Sequence, residues 1–370
     1  MITRLSCTFV FVLFTFYYLY NYQADLLTVV QHVLSKGQTH YNHFIGAVII
    51  SAVLLLLQIS VLKIFGRMRQ AWALTFVPSA LCLIALADVD LSPVNNDLHF
   101  GSWIFLSPIM MVVFGVVLWI LEKYKLLDSF SRPIRQIWTN LAIMVAILLF
   151  VCMATNSDKV YHARIHAEQC LLDGDIDGAL NVCGRFGGAD KNLTMLTAFA
   201  LSKKNQLAEK LFEYPVTGSS DCLLPNGSSV KFEIFPERNF YEHLGGYYIQ
   251  RMSSARYIDF QIRHRRMNKH MIDYMLCAQL LDRNLDDFVV NLQKYYEVND
   301  SVTLPRYYRE ALTLYTHLHS NPIIVYNDNV LNVDYQDYQK IIKSSGDPRA
   351  VKTSLRDTYG NTYWFYYVNR

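Results

Sequence analysis

Five apolar runs in the first 155 residues constrain the fold of this chain more than any other feature of its sequence. A helix that crosses a membrane needs about 20 apolar residues, with about 17–25 the usual range. Runs of about this length lie at residues 5–20, 44–64, 71–87, 103–121 and 138–155. Only 18% of the residues are charged, against about a quarter in soluble domains. We therefore predict an all-α membrane domain of about five spans at residues 1–155.

The first run is short enough to resemble the apolar segment of a signal peptide, with Arg4 before it. Signal peptidase requires small residues at its cleavage site. Bulky residues occupy that place, in the order Tyr17, Tyr18, Leu19 and Tyr20. The sequence therefore favours an uncleaved membrane anchor.

The positive charges between the runs predict an orientation, because loops rich in Lys and Arg stay in the cytoplasm. Arg4 precedes the first run. The loop between runs one and two carries only Lys36, and the loop between runs three and four carries no Lys or Arg. The remaining cations lie between runs two and three and between runs four and five: Lys63, Arg67, Arg69, Lys123, Lys125, Arg132 and Arg135. This alternation predicts a cytoplasmic N-terminus and an external C-terminal domain.

The interiors of the runs contain no ionisable residue. Pumps and proton-coupled transporters usually place such residues near the middle of the membrane, so a transporter is disfavoured. Gln58 and a few serines are predicted to join neighbouring helices by hydrogen bonds. Pro78 and Pro108 are interpreted as tolerated kinks in the third and fourth spans.

The loop at residues 21–43 has the apolar spacing of an amphipathic helix, and Lys36-Gly37 is a typical helix stop. Such a helix is predicted to lie on the outer surface of the membrane. Its polar side and the residues after it offer His32, His40 and Tyr41 as a candidate outer-face site. Contact with lipid headgroups is favoured over binding of a metal or a substrate.

After residue 155 the pattern changes to short amphipathic helices in pairs. The predicted hairpins lie at 161–172 with 176–186, at 193–202 with 207–212, and at 271–281 with 285–296. The turns of the first and third pairs are similar, Leu-Leu-Asp-Gly-Asp-Ile-Asp-Gly and Leu-Leu-Asp-Arg-Asn-Leu-Asp-Asp. We predict a degenerate TPR-like α-solenoid at 156–322, although a strict 34-residue repeat is absent.

Two further segments complete the domain. Residues 215–236 are rich in Gly, Ser, Asn and Pro and are predicted to form a long loop. Residues 323–370 end in an aromatic stretch, Tyr-Trp-Phe-Tyr-Tyr at 363–367. This stretch could be an exposed surface for a sugar or a partner, but a segment that caps the end of the solenoid is favoured.

Three groups of residues in this domain could carry chemistry. His162, His166 and Cys170 share one helix face and form a weak candidate metal site, without a visible fourth ligand. The pairing of the outer cysteines into disulfides stays open. The basic run at 263–270 is a candidate anion contact or a solvated helix end. The outer cysteines are Cys170, Cys183, Cys222 and Cys277. The candidate anion contacts in the basic run are Arg263, Arg265, Arg266 and Lys269.

Other functions are disfavoured by what the sequence lacks. Residues 1–154 carry nine Lys and Arg against six Asp and Glu, and the rest of the chain carries equal numbers. The net charge of +3 therefore belongs to the membrane domain, and no nucleic-acid partner is indicated. No phosphate-binding loop or nucleophile elbow occurs. No cofactor and no catalytic residue is predicted, and an enzyme is the less favoured class.

Several stretches together resemble an uncharacterised family of bacterial multispanning membrane proteins with a TPR-like periplasmic domain. They are residues 31–42 (Gln-His-Val-Leu-Ser-Lys-Gly-Gln-Thr-His-Tyr-Asn), residues 201–214, residues 304–312 (Leu-Pro-Arg-Tyr-Tyr-Arg-Glu-Ala-Leu) and the aromatic tail. The resemblance implies a location in the bacterial inner membrane, with the C-terminal domain in the periplasm. It implies no catalytic residues.

These observations lead to two hypotheses of different class. The favoured one is a membrane-anchored interaction protein, held in the lipid bilayer, whose helical domain binds a protein partner in the periplasm. The alternative is a membrane enzyme or accessory subunit that acts on lipid-linked glycan or envelope lipid. In that alternative, His32, His40 and Tyr41 and the basic run at 263–270 would face a shared site.

Overall fold

The first apolar run forms one helix, α1 (Ile2–Asn21), and the loop after it forms the amphipathic helix α2 (Ala24–Leu34). Leu26, Leu27 and Val29 of α2 are buried, whereas Leu34 is exposed. The helix ends as predicted, because Lys36 and Gly37 have positive φ angles of 53° and 76°. The Gly37 N–H donates to the carbonyl oxygen of His32 at 2.8 Å, which is a typical helix C-cap.

The computed structural model describes residues 2–64, 72–91, 98–124, 133–186, 188, 190–226, 230–247, 252–298, 304–343 and 348–369. Several cations on which the predicted orientation depends lie outside these residues. They are Arg67, Arg69, Lys125 and Arg132.

Three more apolar runs form long helices: α3 (His43–Ile64), and later α5 (Trp103–Lys123) and α6 (Pro133–Ala154). With α1, they are the four helices in the described residues that are long and apolar enough to cross a membrane. Only 11 to 28% of their most apolar windows is buried within the protein. Apolar surface exposed on this scale is costly in water, so the first part of the chain is consistent with a membrane protein.

The third run differs from the prediction of a single full-length helix. It begins as a 3₁₀ helix (Trp72–Phe76) and continues as the short helix α4 (Val77–Ala87). Pro78 lies in the first turn of α4, where a missing N–H costs nothing, so it begins this helix and does not kink it. Pro108, by contrast, lies inside α5.

The short third segment forms the centre of the bundle, with Phe76, Leu83 and Ile84 fully buried. It packs against α1, α3, α5 and α6. Three buried polar contacts hold it in place. Gln58 Nε2 donates to Thr75 Oγ1 at 3.0 Å, Ser79 Oγ donates to the Leu54 carbonyl at 2.8 Å, and the Ala73 N–H donates to Asn140 Oδ1 at 2.8 Å. Gln58 and Ser79 thus join helices as predicted.

Two short strands, β1 (Val89–Leu91) and β2 (Leu98–Phe100), pair antiparallel between α4 and α5. They are an exception to the predicted all-α fold. Asp88 supports the connection, because its carbonyl accepts the Gly101 N–H at 2.7 Å and its carboxylate accepts the Trp103 N–H at 3.0 Å. This carboxylate therefore satisfies an N–H at the start of α5.

The chain divides into two units, Met1–His162 and Ala163–Arg370. The boundary falls within α7, and the second unit is otherwise built from short helices. These helices are α7 (Lys159–Asp173), α8 (Ile176–Phe186), α9 (Lys191–Lys203), α10 (Leu207–Lys210), α11 (Glu237–His243), α12 (Ser254–Arg263), α13 (Lys269–Leu281), α14 (Leu285–Tyr295), α15 (Arg306–Leu318), α16 (Asn329–Ile342), α17 (Pro348–Tyr359) and α18 (Tyr363–Asn369).

The three predicted helix pairs correspond to α7 with α8, α9 with α10, and α13 with α14. Their turns contain Gly174, Asn205 and Arg283, with φ angles of 79°, 57° and 59°. A residue in this left-handed conformation ends a helix and reverses the chain. The turn residues are therefore where the sequence predicts them.

The described residues of the predicted loop, 215–226 and 230–236, form a loop apart from a 3₁₀ turn at Ser220–Cys222. The loop is buried to an extent that its polar composition does not suggest. Phe232, Phe235 and Phe240 pack around Phe199, with ring centroids 5.0 to 6.2 Å from its own. The described part of this loop thus contributes to the core of the second unit.

Candidate functional site

A groove of about 400 Å³ lies between α12, α13, α14 and the turn at Ser220–Cys222. Its wall is rich in carboxylates and amides, and its apolar lining comes from Ile258, Ile262 and Met275. The polar residues that line it are Ser220, Asp259, Gln279, Asp282, Asn284, Asp287 and Asn291. The groove therefore carries negative charge beside an apolar surface, and one of its three carboxylates, Asp259, also pairs with Arg263.

Local structure fixes several of these polar groups. Asp282 Oδ1 accepts the Ser220 N–H at 2.9 Å. Asn284 caps α14, since its Oδ1 accepts the Asp287 N–H and its Nδ2 donates to Asp287 Oδ2 at 2.6 Å. Gln279 Oε1 is buried and has no hydrogen-bond donor among the described residues. Acceptors outnumber donors here, so the groove suits a ligand that carries N–H groups and positive charge.

Of the candidate outer-face residues, His32 lies in the last turn of α2, whereas His40 and Tyr41 lie between α2 and α3. Burial, with a smaller contribution from His40, lowers the pKa of His32. The Tyr41 hydroxyl is buried without a hydrogen-bond partner in the described structure, and burial raises its pKa to about 12. The Gln31 side chain ties the loop by donating to Thr39 Oγ1 at 3.0 Å.

The basic run at 263–270 forms the turn between α12 and α13. Arg263 pairs with Asp259 at 2.6 Å, and the Arg266 guanidinium lies 3.7 Å from the centroid of the Tyr247 ring. Arg265 occupies the left-handed position of the turn, and Lys269 begins α13. Two of the four predicted anion contacts therefore already have partners within the protein.

The weak candidate metal site receives no support from the geometry. His162 Nδ1 lies 3.8 Å from Asp25 Oδ2, His166 is exposed and Cys170 is half-buried. No group of three or more His, Cys, Asp or Glu side chains in the described ranges is placed to hold a metal ion. Cys183, Cys222 and Cys277 are buried, and burial raises the pKa of the Cys183 thiol to about 11.

A buried ionic network that the sequence did not reveal joins α7 to the loop at 230–235. The Glu168 carboxylate is fully buried and accepts the N–H groups of Glu233, Ile234 and Phe235 at 2.8 to 3.1 Å. Arg164 donates to Glu233 Oε1 and to the Lys231 carbonyl, and Lys231 Nζ lies 3.3 Å from Glu233 Oε2. Two basic and two acidic side chains thus meet inside the core.

A second unpredicted cluster joins the ends of three helices. Ser202 Oγ lies 3.0 Å from His243 Nε2 and 3.4 Å from His270 Nδ1. The two imidazole rings are 4.2 Å apart between centroids. Burial, with the nearby His270 and Lys203, lowers the pKa of His243 to about 4, and the pKa of His270 is also lowered, chiefly by burial.

This cluster predicts a pH dependence of stability. Because the pKa of His243 is lowered from 6.5 to about 4 on folding, its contribution to stability is present above pH 6.5 and is lost as the pH falls toward 4. We expect the wild-type protein to lose stability relative to His243→Gln over this range, measured as the midpoint of urea unfolding at each pH. Equal slopes for the two proteins would contradict the prediction.

The wild-type protein has to be compared with His243→Gln because Glu168 changes the stability with pH in the opposite direction. Burial raises the pKa of Glu168 to about 7 from 4.5, against the opposing effect of Arg164. Its protonation therefore favours the folded state increasingly as the pH falls below 7. This contribution is the same in both proteins and disappears from the difference between their curves.

Neither cluster has a signature that sequence reading would find. His243 and His270 are 27 positions apart and lie at different helix ends, outside any ligand spacing. Glu168 meets backbone N–H groups 65 to 67 residues away, and backbone donors leave no trace in a sequence. A lone Glu or His on a helix face was therefore no guide to either site.

The C-terminal third of the chain matches the model of a family whose function is unknown. A family model described as "Family of unknown function (DUF6057)" matches residues 249–370, a segment that contains α12 to α18. No curated protein and no solved structure matches the chain. The match supports similarity to a family whose function has not been assigned.

Proposed function

We propose that this chain is a membrane-anchored interaction protein whose helical C-terminal domain binds a protein partner. The groove between α12, α13 and α14 is the observation that carries the proposal. Its carboxylates and amide oxygens complement Lys and Arg side chains, and its apolar lining suits the aliphatic part of those side chains. A basic, partly extended segment of a partner is the occupant that this surface favours.

The proposal includes a location and a topology. Five spans would cross the bacterial inner membrane, with Trp72–Ala87 as the short, enclosed third span. The cations in the sequence favour a cytoplasmic N-terminus, which would place the helical domain in the periplasm. The pairs α7–α8, α9–α10 and α13–α14 would be degenerate TPR-like hairpins, a type of stacking that generally offers extended surfaces for partners.

The first experiment is affinity purification from native membranes in a mild detergent. The full-length protein is compared with a version that lacks residues 156–370, and with the double variant Asp259→Asn, Asp287→Asn. We expect a protein partner with the full chain, at least tenfold less of it with the double variant, and none with the truncation. The matched control is Asp337→Asn, Asp357→Asn, which removes two exposed carboxylates elsewhere in the domain and retains the partner.

Two results would contradict this proposal. One is equal recovery of the partner with the truncation, which would assign binding to residues 1–155. The other is recovery of lipid or glycan alone with both the full and the truncated chain.

The buried Tyr41 hydroxyl, which has no hydrogen-bond partner among the described residues, supports one alternative, a membrane enzyme or accessory subunit that acts on lipid-linked glycan or envelope lipid. Tyrosine and histidine side chains are groups that can transfer protons. Under this alternative, His32→Ala and His40→Ala abolish function in cells while partner recovery is unchanged. Under the interaction proposal, both variants retain function and partner.

A further inference from the structure

We propose that the groove between α12, α13 and α14 selects arginine over lysine in the basic segment of its protein partner. This selectivity rests on the function proposed above and goes beyond it, since charge alone would accept either side chain. Arginine carries five N–H donors in a planar fork, whereas lysine carries three on a single nitrogen atom. The number and the spread of the acceptors in the groove therefore decide between them.

Two carboxylates of the groove each retain one oxygen atom for a ligand. Asp282 Oδ1 accepts the Ser220 N–H at 2.9 Å, and Asp287 Oδ2 accepts a hydrogen bond from Asn284 Nδ2 at 2.6 Å. Within the described ranges, Asp282 Oδ2 and Asp287 Oδ1 accept no hydrogen bond and form no ion pair. Asp282 caps the end of α13 and Asp287 lies in the first turn of α14. The two remaining acceptors thus belong to different elements, which suits a ligand with several separated donors.

The amide side chains of the groove add acceptors but few donors. Asn291 Nδ2 donates to the Asp287 carbonyl at 3.0 Å, so this amide group, like that of Asn284, is already used within the protein. Gln279 is partly buried and lines the groove, and its Oε1 is a buried acceptor that receives no hydrogen bond in the part of the chain that the structure describes. An unpaired buried acceptor is costly. A small rotation of the Gln279 side chain would let a guanidinium N–H satisfy it while the other N–H groups bind a carboxylate.

The apolar wall of the groove favours the same side chain. Ile258, Ile262 and Met275 line it. A guanidinium group is more weakly hydrated than an ammonium group, so it loses less when it leaves water beside these residues. The protein already holds one guanidinium at this surface, because Arg263 Nη2 lies 2.6 Å from Oδ2 of the lining residue Asp259. The groove is therefore compatible with arginine in both its polar and its apolar parts.

The test measures the affinity of the full-length protein in detergent for three synthetic peptides. They are otherwise neutral and identical, and their central residue is arginine, lysine or citrulline. Citrulline has nearly the shape of arginine but no charge. We expect the arginine peptide to bind about tenfold or more tightly than the lysine peptide, and the citrulline peptide to bind more weakly than the arginine peptide by at least as much.

Gln279→Met tests the source of the selectivity, because it removes the acceptor and keeps the length of the side chain. We expect its affinity for the arginine peptide to fall about tenfold, to that for the lysine peptide, which itself changes by less than about twofold. Gln336→Met is the matched control. Gln336 is exposed on α16 and is not among the residues that line the groove, so this variant is expected to keep the preference for arginine.

Equal affinities of the wild-type protein for the arginine and lysine peptides would overturn the selectivity and leave the proposed function intact. Binding of neither peptide would overturn both. A preference for arginine that persists unchanged in Gln279→Met would overturn the role of Gln279. The comparison of the three peptides uses the wild-type protein, so it decides the selectivity even if Gln279→Met does not fold.

Discussion

Replacing Glu168 by alanine is expected to lower the free energy of unfolding of the C-terminal unit by about 3–5 kcal/mol. The substitution leaves the N–H groups of Glu233, Ile234 and Phe235 without the acceptor that they have now. It also removes one of the two acidic side chains beside Arg164 and Lys231 inside the core. Unpaired buried donors and an uncompensated buried charge are among the costliest defects in a folded protein.

A graded series makes this prediction specific to the carboxylate. Glu168→Gln keeps the size of the side chain and one acceptor oxygen, so a smaller loss of about 2 kcal/mol is expected. Glu242→Ala is the control, because Glu242 forms an exposed pair with Arg238, and a change within about 0.5 kcal/mol is expected. Pulse proteolysis of the full chain across a urea series measures all three. An alanine variant as stable as the Glu242 control would contradict the importance of the network.

Replacing Trp364 by alanine is expected to cost about 3–5 kcal/mol. Trp364 is 1% exposed, and its indole Nε1 donates to the Glu310 carbonyl at 2.8 Å. Tyr335 and Tyr338 pack against its ring at 5.2 and 6.2 Å between centroids. Truncation would open a cavity that these rings line and would remove the hydrogen bond to the Glu310 carbonyl in α15.

Val368→Ala is the matched control for this second prediction. Val368 lies in the same helix, α18, and its side chain is 54% exposed, so a change within about 0.5 kcal/mol is expected. The same urea series and protease measure both variants. If Trp364→Ala were no less stable than Val368→Ala, the aromatic tail would contribute little to the domain.

The helices of both units could be predicted because their ends are encoded locally. Gly174, Asn205 and Arg283 mark turns that the sequence indicates by short polar interruptions between apolar periods. The backbone conformation of the third apolar run could not be predicted, since hydropathy depends on composition and not on backbone geometry. Its 3₁₀ start and the position of Pro78 in the first turn of α4 depend on how the surrounding helices pack.

The candidate sites depended on contacts between distant positions, and these could not be predicted. The loop at 215–236 has the composition of an exposed connection, yet Glu168 and the ring of Phe199 keep Ile234 and Phe235 in the core. Likewise, the groove carboxylates Asp259 and Asp287 lie on different helices. Local patterns contain no information about which helices become neighbours.

The enclosed helix α4 has a consequence for how the chain is made. During synthesis α1 and α3 emerge before α4, whereas α6, which carries Asn140, emerges later. Until then the Ala73 N–H lacks the side-chain acceptor that it has in the finished bundle. In the membrane topology that we propose, we expect α4 to leave the translocation machinery only after α6 is made, so that ribosome-bound chains truncated before Asn140 keep α4 close to the translocon and longer chains release it.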